Sequence, residues 1–385
     1  MNNNYRICNQ CVMDTSDNYI VFDDNGVCNH CHNYDLVVTN NVIPKAQRQE
    51  KIAHLINKIK LSGKGNKYDC IAGLSGGMDS SYVIYLAKKL GLRTLIVHFD
   101  NGWDSELAIK NIENIINYTG FDYYNYIVDW EEFKDLQLSY FKASVVDVEI
   151  PTDMGIFSLI PKVAIKYNIK YIIYGTNIET ETTMGTGWNY TKMDRANLEA
   201  IHRKYGTKEL RTFPNYTSFD QLLFKIKGIK QVNILNYAET NYDEIAKVLY
   251  NEFKWKNYPV KHGESIFTKF YQSYYLPKKF GIDKRRAHLS DLINSGQKER
   301  QQALEILSKT VYSSLSEEEY EYKYVIRKLG LTEEQFTDIM ERPINKHADF
   351  STNQPVNNIT DRVFLKIKDT KILTAILGKI YRIFS

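Results

Sequence analysis

The stretch that most limits what this chain can become is Leu74-Ser75-Gly76-Gly77-Met78-Asp79-Ser80-Ser81. The apolar run from Tyr68 to Gly73 before it reads as a buried strand. Tyr82 to Leu90 after it, closing on Lys88-Lys89 and Gly91, reads as a helix with a C-terminal stop. The stretch is therefore a strand, a tight glycine turn and a helix N-terminus. Such a turn offers free backbone N–H groups and the positive end of a helix dipole to an anion. Gly76 and Gly77 let the backbone come close to a phosphate, and Ser75, Ser80 and Ser81 add hydroxyl donors. No lysine stands where a Walker loop needs one, and no G-x-G-x-x-G fingerprint is present.

The order S-G-G-M-D-S resembles the pyrophosphate loop (PP-loop) of the ATP pyrophosphatases, among them NAD synthetase, the synthetase domains of asparagine and GMP synthetases, and tRNA-thiolating enzymes. The resemblance implies ATP as cofactor, cleaved between its α and β phosphates. AMP passes to a carbonyl oxygen while pyrophosphate leaves into the loop. It implies an adenine nucleotide alpha hydrolase-like fold, with Ser75, Gly76, Gly77, Asp79, Ser80 and Ser81 around the phosphates.

Strand and helix patterns alternate around this loop. Thr94 to Phe99, Tyr123 to Val128, Tyr171 to Tyr174 and Gln231 to Leu235 read as further strands. Helices are expected from Ser105 to about Thr119, over Glu131 to Ser144, and over Ile156 to Tyr167 with a kink or a restart at Pro161. The pattern predicts an α/β, doubly wound parallel sheet whose site lies at the carboxyl ends of its strands. Asp100 follows the second strand and Gly175-Thr176-Asn177 the fourth. All four are expected against the nucleotide, Asp100 by its position in PP-loop proteins. Glu179 and Glu181 follow and, with Asp79, could hold Mg2+, a hard cation suited to oxygen ligands and to a departing pyrophosphate.

At 385 residues, 43% hydrophobic and 25% charged, the chain is long enough for a core with a second domain. A net charge of +4 gives no sign of nucleic-acid binding, and none is expected. The polar N-terminus carries no signal peptide and no run of about 18 apolar residues occurs, so a cytoplasmic protein is expected.

Four of the five cysteines stand as Cys8-x-x-Cys11 and, after 16 residues, Cys28-x-x-Cys31. Each pair supplies two thiolates to one tetrahedral ion, which favours structural Zn2+ over an iron–sulfur cluster or redox thiols. A zinc module is expected over residues 1–35, with Ile20-Val21-Phe22 as a strand into a turn at Asp23 to Gly26. Asp35 to Pro44 reads as a connector, and Lys45 to Gly63 as an amphipathic helix. Cys70 reads as a buried structural thiol.

A PP-loop domain is expected over 45–250, and a mostly helical region with substrate contacts over 251–385. In the latter, Lys261-His262-Gly263-Glu264-Ser265 and Phe280-Gly281-Ile282-Asp283-Lys284-Arg285-Arg286-Ala287-His288 concentrate cations suited to phosphate or carboxylate. Lys261, Lys284 and Arg285 join Asp79 as candidate catalytic residues. Ser316-Glu317-Glu318-Glu319 and Thr332-Glu333-Glu334-Gln335 read as capping boxes. For the basic tail, Asp361 to Ser385, a helix docked on its own domain is favoured over one lying on an anionic membrane.

These two segments, the loop and the cysteine module with its Val12-Met13-Asp14-Thr15 continuation together resemble the N-acetyl sugar amidotransferases of the WbpG and PseA type. The resemblance implies conversion of a sugar acetamido group to an acetamidino group, in surface-polysaccharide (lipopolysaccharide) or nonulosonic-acid biosynthesis. It also implies separate glutaminase and cyclase-like subunits supplying ammonia. A tRNA-thiolating enzyme is the alternative. It is disfavoured because no cysteine follows Cys70 to carry sulfur.

Overall fold

A computed structural model describes residues 5–215, 217–238 and 241–352. The basic tail, with its expected docking helix, lies outside the described residues. Five strands form one parallel sheet in the order β3-β2-β1-β4-β5: β1 (Cys70–Gly73), β2 (Thr94–Asp100), β3 (Asp122–Ile127), β4 (Tyr171–Tyr174) and β5 (Lys230–Asn233). All five expected strands are present. Each parallel step needs a crossover, which is why the helices fall on both faces.

Alternation along the strands divides the core in two. Cys70, Ala72, Ile96 and Ile173 pack towards α2 (Lys45–Ser62), α3 (Met78–Lys89) and α4 (Glu106–Thr119). Ile71, Leu95, Val97 and Ile172 pack towards α5 (Trp130–Ala143) and α6 (Ile150–Lys166). Cys70 is fully buried with its Sγ 3.3 Å from Thr94 Oγ1, and burial pushes its thiol up to about 12, as a structural thiol requires.

Several local expectations change. The connector after Asp35 is instead helix α1 (Asn29–Asn41), which starts inside the second cysteine pair. Ile20-Val21-Phe22 forms no strand; Phe22 makes one isolated bridge to Cys28, and the turn at Gly26 stands. Helix α6 begins six residues before Ile156 and runs unbroken through Pro161, because the apolar faces on both sides of the proline stay packed. Ser314, not Ser316, caps the helix Leu315–Lys328, whereas the box at Thr332 forms. The aromatic run after Phe267 is a short α-helix, Ile266–Phe270, continuing as a π-helix, Tyr271–Phe280. Among the described residues, no helix is long and apolar enough to cross a membrane.

Candidate active site

The strand order reverses between β1 and β4, and the crevice at their carboxyl ends is where such sheets take ligands. A cleft of about 670 Å3 opens there. Its lining includes Leu74, Ser75, Gly77, Met78, Asp79 and Ser80, with Gly175 and Thr176 from the segment after β4.

The loop's shape follows from its own bonds. Ser80 Oγ donates to the Gly77 carbonyl at 3.1 Å and lies 3.1 Å from Ser75 Oγ, tying the turn across its base. Gly76 sits at φ +81°, and a methyl there would lie 2.9 Å from the Ala108 carbonyl, so both conformation and space demand glycine. Its carbonyl accepts from Trp255 Nε1 at 2.8 Å and from the Tyr258 hydroxyl at 2.9 Å. His98, at the end of β2, bridges the Leu74 carbonyl (2.7 Å) and Asp104 (2.8 Å). Burial disfavours its charge, but Asp104 holds the imidazole above its usual range. Gly175 packs on the loop: a methyl there would stand 3.2 Å from the Asp79 carbonyl carbon.

Charge concentrates beside the loop. Burial pushes Asp79 up to about 6, with Lys261 opposing the shift. Lys261 Nζ is 2.9 Å from Glu181 Oε1, whose other carboxylate oxygen accepts from the Asn177 N–H at 3.2 Å. Against the burial that would lower it, Glu181 and Tyr242 hold the Lys261 ammonium above its usual range. Glu264, from the same segment as Lys261, reaches the loop as well: a methyl on Gly77 would come within 2.6 Å of its Oε1. That segment is fixed by backbone bonds from Ser105 to Glu264 (2.8 Å) and from Ile266 to Trp103 (2.9 Å).

The cleft gathers Ser75, Gly77, Asp79, Ser80, Gly175, Thr176, Glu181, Lys261 and Lys284 from the expected residues. The others fall elsewhere. Gly76 serves behind the loop through its carbonyl. Ser81 is buried on the helix side, without a partner for its hydroxyl among the described residues. Asp100 closes a turn by accepting from the Gly102 N–H at 3.0 Å, and its neighbours Asn101 and Asp104 line the cleft instead. Asn177 is buried and accepts from the Glu179 N–H at 2.9 Å. Glu179 turns from the cleft to Arg48, 3.0 Å away, so of the three carboxylates expected to hold Mg2+ only Asp79 and Glu181 line the cleft.

The cationic run at 284–288 separates. Lys284 and His288 line the cleft. Arg285 pairs with Asp283 at 2.7 Å and donates to the Lys309 carbonyl at 2.9 Å, a structural clamp outside the cleft. Arg286 pairs with Asp14 at 2.9 Å and donates to the Val12 carbonyl at 2.8 Å.

Arg286 thereby grips the cysteine module. All four sulfurs are buried and lie within 4.8 Å of one another, with spacings of 3.6 Å (Cys11–Cys28), 3.8 Å (Cys28–Cys31) and 3.9 Å (Cys8–Cys31). Four sulfurs at Zn–S bonds of about 2.3 Å on a tetrahedron stand about 3.8 Å apart, so the donor set fits Zn2+. Backbone N–H groups of Cys28 and Met13 point at Cys8 and Cys11 sulfurs (3.2 and 3.4 Å), as thiolates need. Arg300 caps the module from outside, donating to the Cys8 and Cys11 carbonyls at 2.7 and 3.0 Å.

Residues 264–363 match the family model of the WbpG-like C-terminal domain of LPS biosynthesis proteins. The WbpG resemblance thus continues past the cationic cluster. No curated protein sequence matches the chain. Among solved structures, an NH3-dependent NAD synthetase from Campylobacter jejuni is 17% identical, covering 55% of this chain and 94% of its own, at a TM-score of 0.29. An NMN synthetase from Francisella tularensis is 14% identical over 75% of this chain and 98% of its own, at 0.30. An NAD+ synthetase from Burkholderia pseudomallei is 11% identical over 59% and 95%, at 0.31. The fold rests on the strand order and loop described above. The WbpG-like region supplies Glu264, Thr268, Gln272, Lys284 and His288 to the cleft that the sheet's loop opens.

Proposed function

We propose that this chain is an ATP-dependent, AMP-forming amidotransferase that converts an N-acetyl group of a sugar to an acetamidino group in surface-polysaccharide or nonulosonic-acid biosynthesis. The observation that carries the reading is the shared cleft: an anion loop at the switch point of the sheet faces residues of the WbpG-like region.

The chemistry asks for little covalent participation by the protein. An amide resists ammonia because its oxygen leaves poorly. Transfer of AMP to that oxygen makes a good leaving group, ammonia then adds to the carbon, and AMP departs. The loop N–H groups would cradle the phosphates, with Lys261 neutralising charge as pyrophosphate leaves. Asp79 and Glu181 would hold Mg2+, which supplies charge neutralisation on the phosphate oxygens when bound. The four cysteines form a closed donor set with no position left for substrate, so their ion has a structural role.

Glutamine hydrolysis needs an accessible nucleophilic thiol. All five cysteines are buried, four of them in the metal cluster. This agrees with the separate glutaminase and cyclase-like subunits that the WbpG resemblance implies as the source of ammonia.

The test is pyrophosphate release from ATP with ammonium, comparing N-acetyl sugars with bulk tRNA, and mass spectrometry of the product. Sugar-dependent release and a product about one dalton lighter, NH replacing O, are expected, with activity lost in Asp79→Ala while its circular dichroism is unchanged. Release only with tRNA would overturn the reading.

A further inference from the structure

Three lysines line the cleft, and their surroundings differ. Lys192 lies between Asp147 (2.7 Å) and Asp153 (2.9 Å). Lys261 lies on Glu181. Lys284 has no carboxylate within ion-pairing distance among the described residues. Its ammonium stands 5.1 Å from the centre of the Tyr271 ring, which is itself fixed by a bond from its hydroxyl to the Val146 carbonyl at 2.9 Å.

We infer that Lys284 is the seat for a negatively charged group of the acceptor substrate, a carboxylate or a phosphoryl oxygen cluster. The inference rests on the amidotransferase reading and specifies its substrate class.

The nearby acids do not take the place of such a ligand. Asp147 is already occupied: it accepts from Lys192, from the Tyr190 N–H at 3.0 Å and from the Glu149 N–H at 3.3 Å. Glu149 accepts from the Thr268 hydroxyl at 2.8 Å. Burial and the adjacent Asp153 push its carboxyl up to about 7, so near neutrality much of it is an uncharged acid able to donate a hydrogen bond. Burial also lowers the Lys284 ammonium below its usual range, the direction expected of a cation short of a counter-ion. A desolvated cation without an ion pair is costly to fold, and such groups persist where a ligand completes them. The division is then simple. Lys261 belongs to the loop and the nucleotide, and Lys284 to the acceptor, held by the WbpG-like region.

Two sources of the anion are distinguished by matched pairs. N-acetylneuraminate is compared with its methyl ester, and UDP-N-acetylglucosamine with N-acetylglucosamine. Binding to the full zinc-loaded chain is measured by calorimetry with a non-hydrolysable ATP analogue present. The wild-type protein is expected to favour the charged member of at least one pair by about tenfold or more, the scale of one charge-assisted contact. Lys284→Met should bring that ratio near one, and Lys284→Arg should keep most of it, with binding of the ATP analogue unchanged in both. A wild type without preference in either pair, including one that binds none of the four, overturns the inference without any variant. A preference that survives in Lys284→Met overturns it as well. Retained preference with no amidine formed from any sugar would count against the reaction and leave the anion seat standing.

Discussion

The indole Nε1 of Trp255 donates to the Gly76 carbonyl at 2.8 Å, across a sequence separation of 179 residues. Tyr258 donates to the same carbonyl at 2.9 Å, so residues 255–258 fix the loop at Gly76 from far along the chain.

Replacing Trp255 with Phe keeps the ring but removes the donor. Tyr258 still serves the carbonyl, so the loss is part of a buried hydrogen bond, about 1–2 kcal/mol. Affinity for an ATP analogue should fall roughly five- to thirtyfold by calorimetry, with little change in melting temperature. Unchanged affinity would show that the loop holds its shape without the indole.

The cysteine cluster predicts one tightly held zinc per chain by elemental analysis. Its removal by a strong chelator should lower the melting temperature, because structural zinc supplies folding free energy. Arg300→Ala should leave the zinc content at one while raising hydrogen exchange around residues 8–13 and 286–300, since it breaks the clamp and spares the thiols. Loss of zinc in that variant would mean the clamp and the metal site form as one unit.

Glu149 gives a pH signature. Its carboxyl is raised from 4.5 to about 7, chiefly by burial. A raised acid binds its proton more tightly when folded, so it lowers stability as pH climbs from the unfolded value to the folded one. Glu149→Gln should therefore match the wild type below about pH 4.5 in urea unfolding. It should gain progressively up to about pH 7, by on the order of 3 kcal/mol, and hold that gain above. A gain that is the same at pH 4 and pH 8 would exclude burial of the carboxylate charge as its origin.

The central strands β1, β2 and β4 were legible because each is a short, buried apolar run, and the loop because its residues specify a turn. The side-chain roles were less so. Lys284, Arg285 and Arg286 look alike in sequence, but successive residues at the start of a helix point about 100° apart, so adjacent cations cannot all face one cleft. Glu179 and Glu181 read as one acidic pair, and the buried guanidinium of Arg48 claims the first. Glu149 carried a signal that composition hides: two acids, Asp147 and Glu149, stand inside the apolar run Val145 to Ile150, where only partnered or neutral carboxyls persist. Glu264 belongs to a segment singled out for its cations, and its approach to Gly77, like the bond of Trp255 to Gly76, is a contact made far along the chain.

The clamp between Arg300 and the Cys8 carbonyl joins residues 292 positions apart. On a ribosome adding roughly 5–20 residues per second, the cysteine knuckles emerge some 15–60 s before the surface they dock on. Through that interval the thiols have no protein partner to shield them. Capture of a metal by the nascent chain, ahead of the rest of the fold, would keep these four cysteines out of unwanted chemistry until the last helices arrive.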